Sequence, residues 1–342
     1  MAVLRSDVII PEVFTPYVIQ QTTQRDSFLA SGVVAPMAEL NATEGGDFVN
    51  IPFFNANLSG DFEVLSDSSS LSPSKIGTGK QVGVILHRGK AFESRDLAAM
   101  AAGADPMAAI GQKIGAFIAN QRQKDLLSCL GGVFGSVNST TSSAALFDLT
   151  IDGGSGDTPT VLSPRHVAKA KALLGDQGDK LTAVCVHSAV YYDLVERRLV
   201  DYVLATDGNG GSATPSGGTI SGAYGGADTV PTYCGLRVIV SDDVQTAGSG
   251  ASTEYASYFF TQGAIASGEQ AGLTTETDRD ILAKSDAMAI DLHYCYHPVG
   301  TKWAVTDANP TRSVLENVSN WSKVYETKNI GIVRATNIST QD

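Results

Sequence analysis

Four side chains of metal-ligand type alternate near the C-terminal end of the sequence: Asp291, His293, Cys295 and His297. Carboxylate, imidazole and thiolate groups are the ligands that zinc takes in proteins. Alternate residues of a β-strand share a face and lie roughly 6.6 Å apart, from a rise of about 3.3 Å per residue. Two neighbours could therefore share an ion, whereas all four in a line could not. The commoner interpretation is the polar face of a half-buried strand, and we prefer it to a metal site.

The motifs that usually mark an enzyme or a nucleotide site are missing from the sequence. Gly77–Lys80 places glycine beside lysine, but Ser74 stands where a phosphate-binding loop needs its first glycine, and Gln81 follows the lysine. No G-x-G-x-x-G, G-x-S-x-G or H-E-x-x-H segment occurs. This removes the signals for a dinucleotide site, a nucleophile elbow and a zincin helix.

The remaining charged pairs have ordinary interpretations. Asp242–Asp243 follows a predicted strand and Thr277–Asp280 suits a polar turn, where solvated carboxylates are commoner than a catalytic pair. Arg197–Arg198 could contact phosphate, but cations are also favoured at a helix C-terminus. Lys80 and Lys90 could reach an acidic neighbouring chain or keep an edge strand soluble. The sequence therefore predicts no catalytic, cofactor-binding or metal-binding residue, and a protein that is not an enzyme.

Charge and composition narrow the possible functional classes of the protein further. The 342 residues carry 36 acidic and 24 basic side chains, a formal charge of −12. A nucleic-acid reader or a binder of anionic membranes needs a cationic surface, so both are disfavoured. No run of about 18 apolar residues occurs, and we predict no membrane span. The 35 glycines and the low charged fraction of 18% indicate many loops and strands, and surface that other subunits cover.

The four cysteines stand far apart and form no C-x-x-C pair. They are Cys129, Cys185, Cys234 and Cys295. We predict buried thiols in a reducing compartment.

The elements that must position these residues can be predicted from periodicity. The candidate ligands lie on the longest strand signal, in which Met288, Ile290, Leu292, Tyr294 and Tyr296 alternate on the other face and a proline at 298 ends the strand. Earlier in the chain, Val49, Ile51 and Phe53 share a face of another strand, and the chain returns through residues 81–87. We therefore expect residues 46–92 to form a two-stranded ribbon with a Ser/Gly-rich tip that needs a partner surface.

A long helix is the clearest local signal. Pro106 fits the first helical position, apolar residues follow at helical spacing to Leu130, and Gly131–Gly132 would end the helix. Its length would be about 37 Å at ~1.5 Å per residue. Only part of it has a clear apolar face, so we expect one end to run over a sheet and the middle to be exposed or at an interface.

From residue 161 the pattern alternates between helices and strands. Ser163 and Pro164 open a helix that Gly175 ends, and Ser188 caps a second helix. The intervening and later segments are a strand at 181–186, a Gly/Ser/Thr-rich loop at 207–229, and strands at 235–241 and 255–261.

The order of these elements resembles that of the major capsid proteins of tailed bacteriophages, which have the Hong Kong 97-type or Johnson fold. Residues 87–98, with the helix after them, look like the passage from ribbon into spine helix in that family. Residues 293–303, followed by Asn320 and Trp321, look like its C-terminal region. The resemblance covers nearly the whole chain.

The resemblance implies an α+β fold with an N-terminal arm, an extended β-ribbon loop, a peripheral domain with a long spine helix, and an α/β axial domain. The implied segments are 1–45 for the arm, 46–92 for the extended loop over a neighbouring subunit, 93–160 with 281–342 for the peripheral domain, and 161–280 for the axial domain.

The function implied by the resemblance is self-assembly, as pentamers and hexamers, into an icosahedral shell around double-stranded DNA. The chain would be assembled in the host cytoplasm and reside in the virion capsid, with a separate scaffolding protein, a portal and a cement or decoration protein as partners. A charge of −12 suits a wall that does not grip the genome. Some members cross-link a lysine to an asparagine, but neither Lys80 nor Lys90 has a matching context, and we predict no cross-link.

Three other classes remain open at this point. A host nanocompartment shell shares the fold and differs in enclosing a cargo enzyme. A tail or surface-layer component would also explain the Gly/Ser richness and the missing catalytic motifs. An α/β hydrolase-like enzyme is weakened by the absent nucleophile and cofactor signatures.

Overall fold

A computed structural model describes residues 28, 31–41, 46–54, 76–97, 100, 106–135, 137, 150–151, 160–204, 220–221, 229–250 and 253–341. The helices are α1 (Pro106–Phe134), α2 (Pro164–Leu174), α3 (Ser188–Glu196) and α4 (Arg312–Leu315). The strands are β1 (Val34–Pro36), β2 (Phe48–Phe54), β3 (Thr78–Val84), β4 (Leu86–Arg95), β5 (Thr150–Ile151), β6 (Leu181–Val186), β7 (Val200–Leu204), β8 (Ile220–Ser221), β9 (Thr229–Tyr233), β10 (Leu236–Val240), β11 (Thr246–Ala247), β12 (Glu254–Thr261), β13 (Ile265–Asp280), β14 (Ser285–Pro298), β15 (Thr301–Trp303), β16 (Trp321–Lys323) and β17 (Ile332–Ile338).

Within the described residues the strands form three sheets. The large sheet has nine of these strands in the order β5-β17-β12-β6-β10-β9-β7-β8, with β11 on β12. The hairpin sheet has the order β1-β13-β14-β4, and the ribbon sheet has the order β16-β15-β3-β2. The fold is thus mixed α+β, as predicted.

The α/β segment supplies most of the large sheet. Strand β6 lies at its centre, parallel to β10 and antiparallel to β12. Val184, Cys185 and Val186 are fully buried, as an apolar run covered on both faces requires. Helix α2 begins after Ser163 and ends before Gly175, as predicted.

The start of helix α3 differs from the prediction by one residue. His187, not Ser188, caps it, because His187 Nδ1 accepts a hydrogen bond from the Ala189 N–H at 3.2 Å. Strand β6 ends at residue 186, so a single residue joins strand to helix and must serve as the cap. Of the predicted loop 207–229, residues 220–221 form β8 on β7, and most of the remainder lies outside the described residues.

Helix α1 extends four residues further than predicted, through Gly131 and Gly132. These glycines permit close packing instead of ending the helix: a Cβ on Gly131 would collide with the Gln245 amide, and one on Gly132 would collide with the Leu315 carbonyl oxygen. The helix ends at Gly135, which has a φ of +74°. The middle of the helix is not exposed, since residues 117–124 are half-buried or buried, and an interface there stays a prediction. Residues 125–134 are buried.

The ribbon exists, but its returning strand ends earlier than predicted, at Val84. Strands β2 and β3 pair from Phe48↔Val84 to Phe54↔Thr78, and Val49 with Ile51 lies on the more buried face. Strand β4, which was assigned to the returning arm of the ribbon, pairs instead with β14, because the alternating pattern continues through the junction and carries no information about the partner. Residues 55–75, the predicted tip, lie outside the described residues.

Strands β13 and β14 form a long hairpin. Thr277–Asp280, predicted as a turn, is the last part of β13, and the turn is residues 281–284. Residues 271–280 are exposed on both faces, so no apolar alternation marked them as a strand. Pairing with β14 holds them, together with Arg279, which forms ion pairs with Asp96 and Asp286 at 2.7 Å each.

Strands β5 and β17 enter the large sheet from outside the α/β segment. Strand β17 pairs antiparallel with β12 and parallel with β5. Its residues 332–337 are all buried, so a C-terminal segment completes a sheet whose other strands come mostly from residues 181–261.

Candidate functional site

The four ligand-type side chains of β14 do not converge on one point. Asp291 is exposed, and the ring of His293 packs edge to face against His87 of β4 with centroids 4.3 Å apart. Cys295 is buried in a small apolar cluster with Leu40. Within the described part of the chain, no group of three or more His, Cys, Asp and Glu side chains could hold a metal ion.

His297 belongs to a buried polar network that joins two sheets. Its Nε2 lies 3.1 Å from Gln81 Oε1, which also accepts the Gly300 N–H at 2.9 Å. Gln81 Nε2 in turn donates to the Tyr325 hydroxyl at 2.8 Å. Burial lowers the pKa of His297 to about 4, so the ring is neutral at pH 7. The network ties β14 to the base of the ribbon and to the C-terminal segment.

The other charged candidates hold elements of the subunit together. Asp243 accepts hydrogen bonds from Asn120 and Gln123 at 3.2 Å each and lies 3.5 Å from Lys124 Nζ. Asp242 Oδ1 is 3.9 Å from His187 Nε2. These contacts attach helix α1 and the β6–α3 junction to the segment after β10.

The basic candidates are exposed. Arg197 and Arg198 follow the last residue of α3, and Lys80 and Lys90 lie on β3 and β4. Thr78–Lys80 pairs with β2 as regular strand, so its backbone does not form a loop that could surround a phosphate. The structure brings none of these basic residues together with the ligand-type side chains of β14.

A buried carboxylate that the sequence analysis did not single out organises the junction of four elements. Asp125 of α1 has a fully buried side chain. Its Oδ1 accepts from Arg312 Nε of α4 at 2.5 Å, and its Oδ2 accepts from Arg88 Nε of β4 at 3.3 Å. The Tyr294 hydroxyl of β14 donates to Oδ2 at 2.5 Å. Burial and the neighbouring Asp125 raise the pKa of Tyr294, which keeps the phenol protonated as a donor.

Two arginines satisfy what would otherwise be a costly buried charge. Only the polar run 120–125 on the helix was visible in the sequence. Its arginine partners come from residues 37 and 187 positions away, and no local pattern announces such pairs.

A cavity of about 330 Å³ opens beside this centre. Its apolar floor is made by side chains of α1 and β14, namely Phe117, Ile118, Ile290 and Leu292. Arg122 contributes to the polar wall, lying over the Tyr294 ring at 5.0 Å and forming an ion pair with Glu269. The arrangement offers cationic groups above an apolar floor, which suits binding of an acidic and apolar surface.

Comparisons with known proteins agree with side chains that hold the subunit together. The sequence model of one family, described as Gp13-like, major capsid protein 13-like, matches residues 18–331. The chain belongs to this family of major capsid proteins. It is 37% identical over 339 residues to the major capsid protein of Bacillus phage SPP1, across 96% of each chain. The protein is therefore a structural subunit of a tailed-phage capsid shell, as the resemblance implied.

Solved structures show the fold of this capsid protein. A chain of the cyanophage Pam1 capsid asymmetric unit aligns with a TM-score of 0.62 at 13% identity, over 97% of this chain and 98% of that one. The capsid of Ralstonia phage GP4 gives a TM-score of 0.58 at 10% identity, over 96% of each chain. The expected Hong Kong 97-type fold is confirmed. Among the helices described for the capsid protein, none is long and apolar enough to cross a bilayer.

The capsid protein presents a marked apolar feature at the end of its hairpin sheet. Ile281 and Leu282 in the β13–β14 turn are 80% and 96% exposed, and nearby Leu97 is 60% exposed. The backbone N–H of Asp96 bonds to the Lys284 carbonyl at 3.0 Å, which holds the end of β4 beside the turn. Sequence reasoning did not identify this surface, because two apolar residues in a polar segment carry no periodicity.

Proposed function

We propose that this capsid protein forms, as pentamers and hexamers, the icosahedral wall that encloses double-stranded DNA in a tailed-phage head. The observation that carries the proposal is the end-to-end match of 37% identity to the SPP1 major capsid protein. The net charge of −12 fits this function, since an acidic wall does not hold the phosphate backbone and so permits packing and ejection.

The proposed division of labour follows the segments expected from the resemblance. Residues 1–45 form the arm, 46–92 the extended loop over a neighbour, and 93–160 with 281–342 the peripheral domain. Residues 161–280, which supply seven of the nine strands of the large sheet, form the axial domain around five- and six-fold axes. Strands β5 and β17 then join the two domains, because they lie in that sheet while belonging to the flanking segments.

The proposed partners are further copies of the chain, a separate scaffolding protein, a portal, and a cement or decoration protein. Assembly takes place in the host cytoplasm, and the product is the virion capsid. We also propose that the protein has no catalytic activity of its own and forms no Lys–Asn cross-link. The local partners of His297, Asp243 and Asp125 support this, since each is engaged in holding the subunit together.

The test is expression of the full chain alone and together with the scaffolding gene, followed by light scattering and negative-stain microscopy. Closed shells, or pentamers and hexamers, are expected. A compact monomer or dimer in both preparations would contradict the proposal. Electrophoresis of mature shells in SDS should give monomer bands, and a ladder resistant to SDS and reductant would show a covalent network instead.

A further inference from the structure

The turn between β13 and β14 is an apolar projection, here called the knob (residues 280–284). Ile281 and Leu282 are its exposed side chains, the two most exposed large apolar residues in the part of the chain described. Asp280 fixes the turn, since its Oδ1 accepts the N–H groups of Leu282 at 2.8 Å and Ala283 at 3.0 Å. A turn that is ordered before contact loses little conformational entropy on binding.

The cavity beside Asp125 has the complementary character, and it is here called the socket. Its floor is apolar, and its walls carry Arg88, Lys90, Arg122 and Arg312. Arg122 Nε is buried and has no hydrogen-bond partner among the described residues, so part of this guanidinium charge is not matched within the subunit. The volume of about 330 Å³ falls at the lower end of the range for ligand pockets, roughly 300–1,000 Å³.

We propose that the knob of one copy of this chain docks into the socket of a second copy. This inference rests on the proposed shell function and names one contact within it. Charge supports the pairing. Residues 276–286, at and beside the knob, carry two basic side chains and four carboxylates, namely Glu276, Asp278, Asp280 and Asp286. The socket carries four basic side chains against two carboxylates, Asp125 and Glu269. Apolar side chains meet an apolar floor, with the charges at the rim.

The knob must dock into the socket of another copy, because it cannot reach the socket of its own chain. Ile290 in the socket wall lies five residues along β14 from Ser285, about 17 Å at ~3.4 Å per residue. The paired strand runs straight between them, with Asp280↔Ser285 and Thr275↔Ile290 in register. Each copy therefore carries one knob and one socket, and such a head-to-tail contact can propagate around a ring.

The decisive experiment is chemical cross-linking between two cysteine variants of the full chain. One carries Leu282→Cys on the knob and the other carries Lys90→Cys at the exposed socket rim, each with Cys234→Ser to remove an exposed thiol. With a short bismaleimide, the mixture is expected to give covalent dimers. Leu273→Cys, 49% exposed on the same hairpin, replaces Leu282→Cys in the control and is expected to lose the cross-link.

Each outcome decides the matter. Dimers in the mixture only, and not with Leu282→Cys alone, support docking of knob into socket. Dimers with Leu282→Cys alone show that knobs contact each other, and no dimers in any mixture show that they contact neither; both results overturn the proposal. The reaction is scored on soluble chain at high concentration as well as on shells, so a failure of the wild-type chain to form shells would contradict only the proposed function.

A second measurement tests whether the contact matters for assembly. Ile281→Ser/Leu282→Ser removes the apolar surface of the knob without touching the buried core, and we expect loss of shells with unchanged circular dichroism. Leu273→Ser should assemble normally. If the double variant forms normal shells, the claim that this contact is essential for assembly is wrong.

Discussion

Acidification should destabilise this capsid protein through His297. Burial lowers the pKa of its ring from 6.5 to about 4, whereas the unfolded chain keeps the ordinary value. Between pH 6.5 and pH 4 the unfolded state therefore binds more protons than the folded state. Stability contributed by the neutral ring is fully present above pH 6.5 and is lost as the pH falls toward 4.

The size of the effect follows from the two pKa values of His297. A fall from 6.5 to about 4 corresponds to about 3 kcal/mol once the whole window has been crossed. At pH 5 the loss is about 2 kcal/mol, against roughly 0.2 kcal/mol at pH 7. This is a substantial share of the 5–15 kcal/mol that is typical of a folded domain.

The assay is urea unfolding of the soluble chain at pH 7 and pH 5, followed by the fluorescence of buried Trp303 and Trp321. Carboxylates also titrate in this range, so the quantity of interest is the difference between wild type and His297→Gln, which cannot take up the proton. Wild type should lose about 2 kcal/mol more than His297→Gln on acidification.

The matched control is Tyr325→Phe. It removes the hydroxyl that Gln81 bonds but leaves the titrating ring in place, and it should cost about 1 kcal/mol at both pH values. Equal losses for wild type and His297→Gln between pH 7 and pH 5 would refute the reasoning, since the buried imidazole would then not be responsible.

Four further substitutions test the packing. Asp125→Asn leaves two arginines without their buried carboxylate and should lower the free energy of unfolding by about 3 kcal/mol; a loss below about 1 kcal/mol in urea would contradict this. Gly132→Ala should lower the free energy of unfolding by about 1–3 kcal/mol, because the added methyl group overpacks the contact. Gly111→Ala, where nothing lies within 4 Å, should raise the melting temperature slightly through helix propensity. Equal melting temperatures for the two variants would refute the close-packing account. Asp193→Ala removes the carboxylate that accepts hydrogen bonds from the Thr340 N–H at 2.9 Å and the Thr340 hydroxyl at 2.5 Å. Amide hydrogen exchange should therefore speed up at the C-terminal end. Unchanged protection there would show that other contacts hold this segment.

The local sequence pattern predicted an element correctly where neighbouring residues alone determine that element. Strand β6 and helix α2 were predicted to their ends, because an uninterrupted apolar run and a Ser-Pro start with a Gly stop are set by neighbouring residues alone. The face of β14 that carries Tyr294 was also predicted, since alternation over many residues has only one explanation. The family was recognisable from the order of such elements.

What the sequence could not supply depended on distant residues. Gly131 and Gly132 resemble a helix end until the side chains packed against them are known. The outer part of β13 is exposed on both faces, so its strand character comes from pairing with β14 rather than from its own composition. The partners of Asp125, and with them the socket, come from opposite ends of the chain, and no spacing rule connects those positions.

The position of β17 has a consequence for the timing of synthesis. This strand, at 332–338, lies between β5 and β12 in the large sheet, so one of the inner strands is synthesised after the other eight. Pairing of such distant segments is slow and costs loop entropy, and until the strand arrives, β12 keeps an open edge. We therefore expect an incomplete chain to lack the finished sheet, which would keep truncated products from competing with full-length subunits for places in a growing shell.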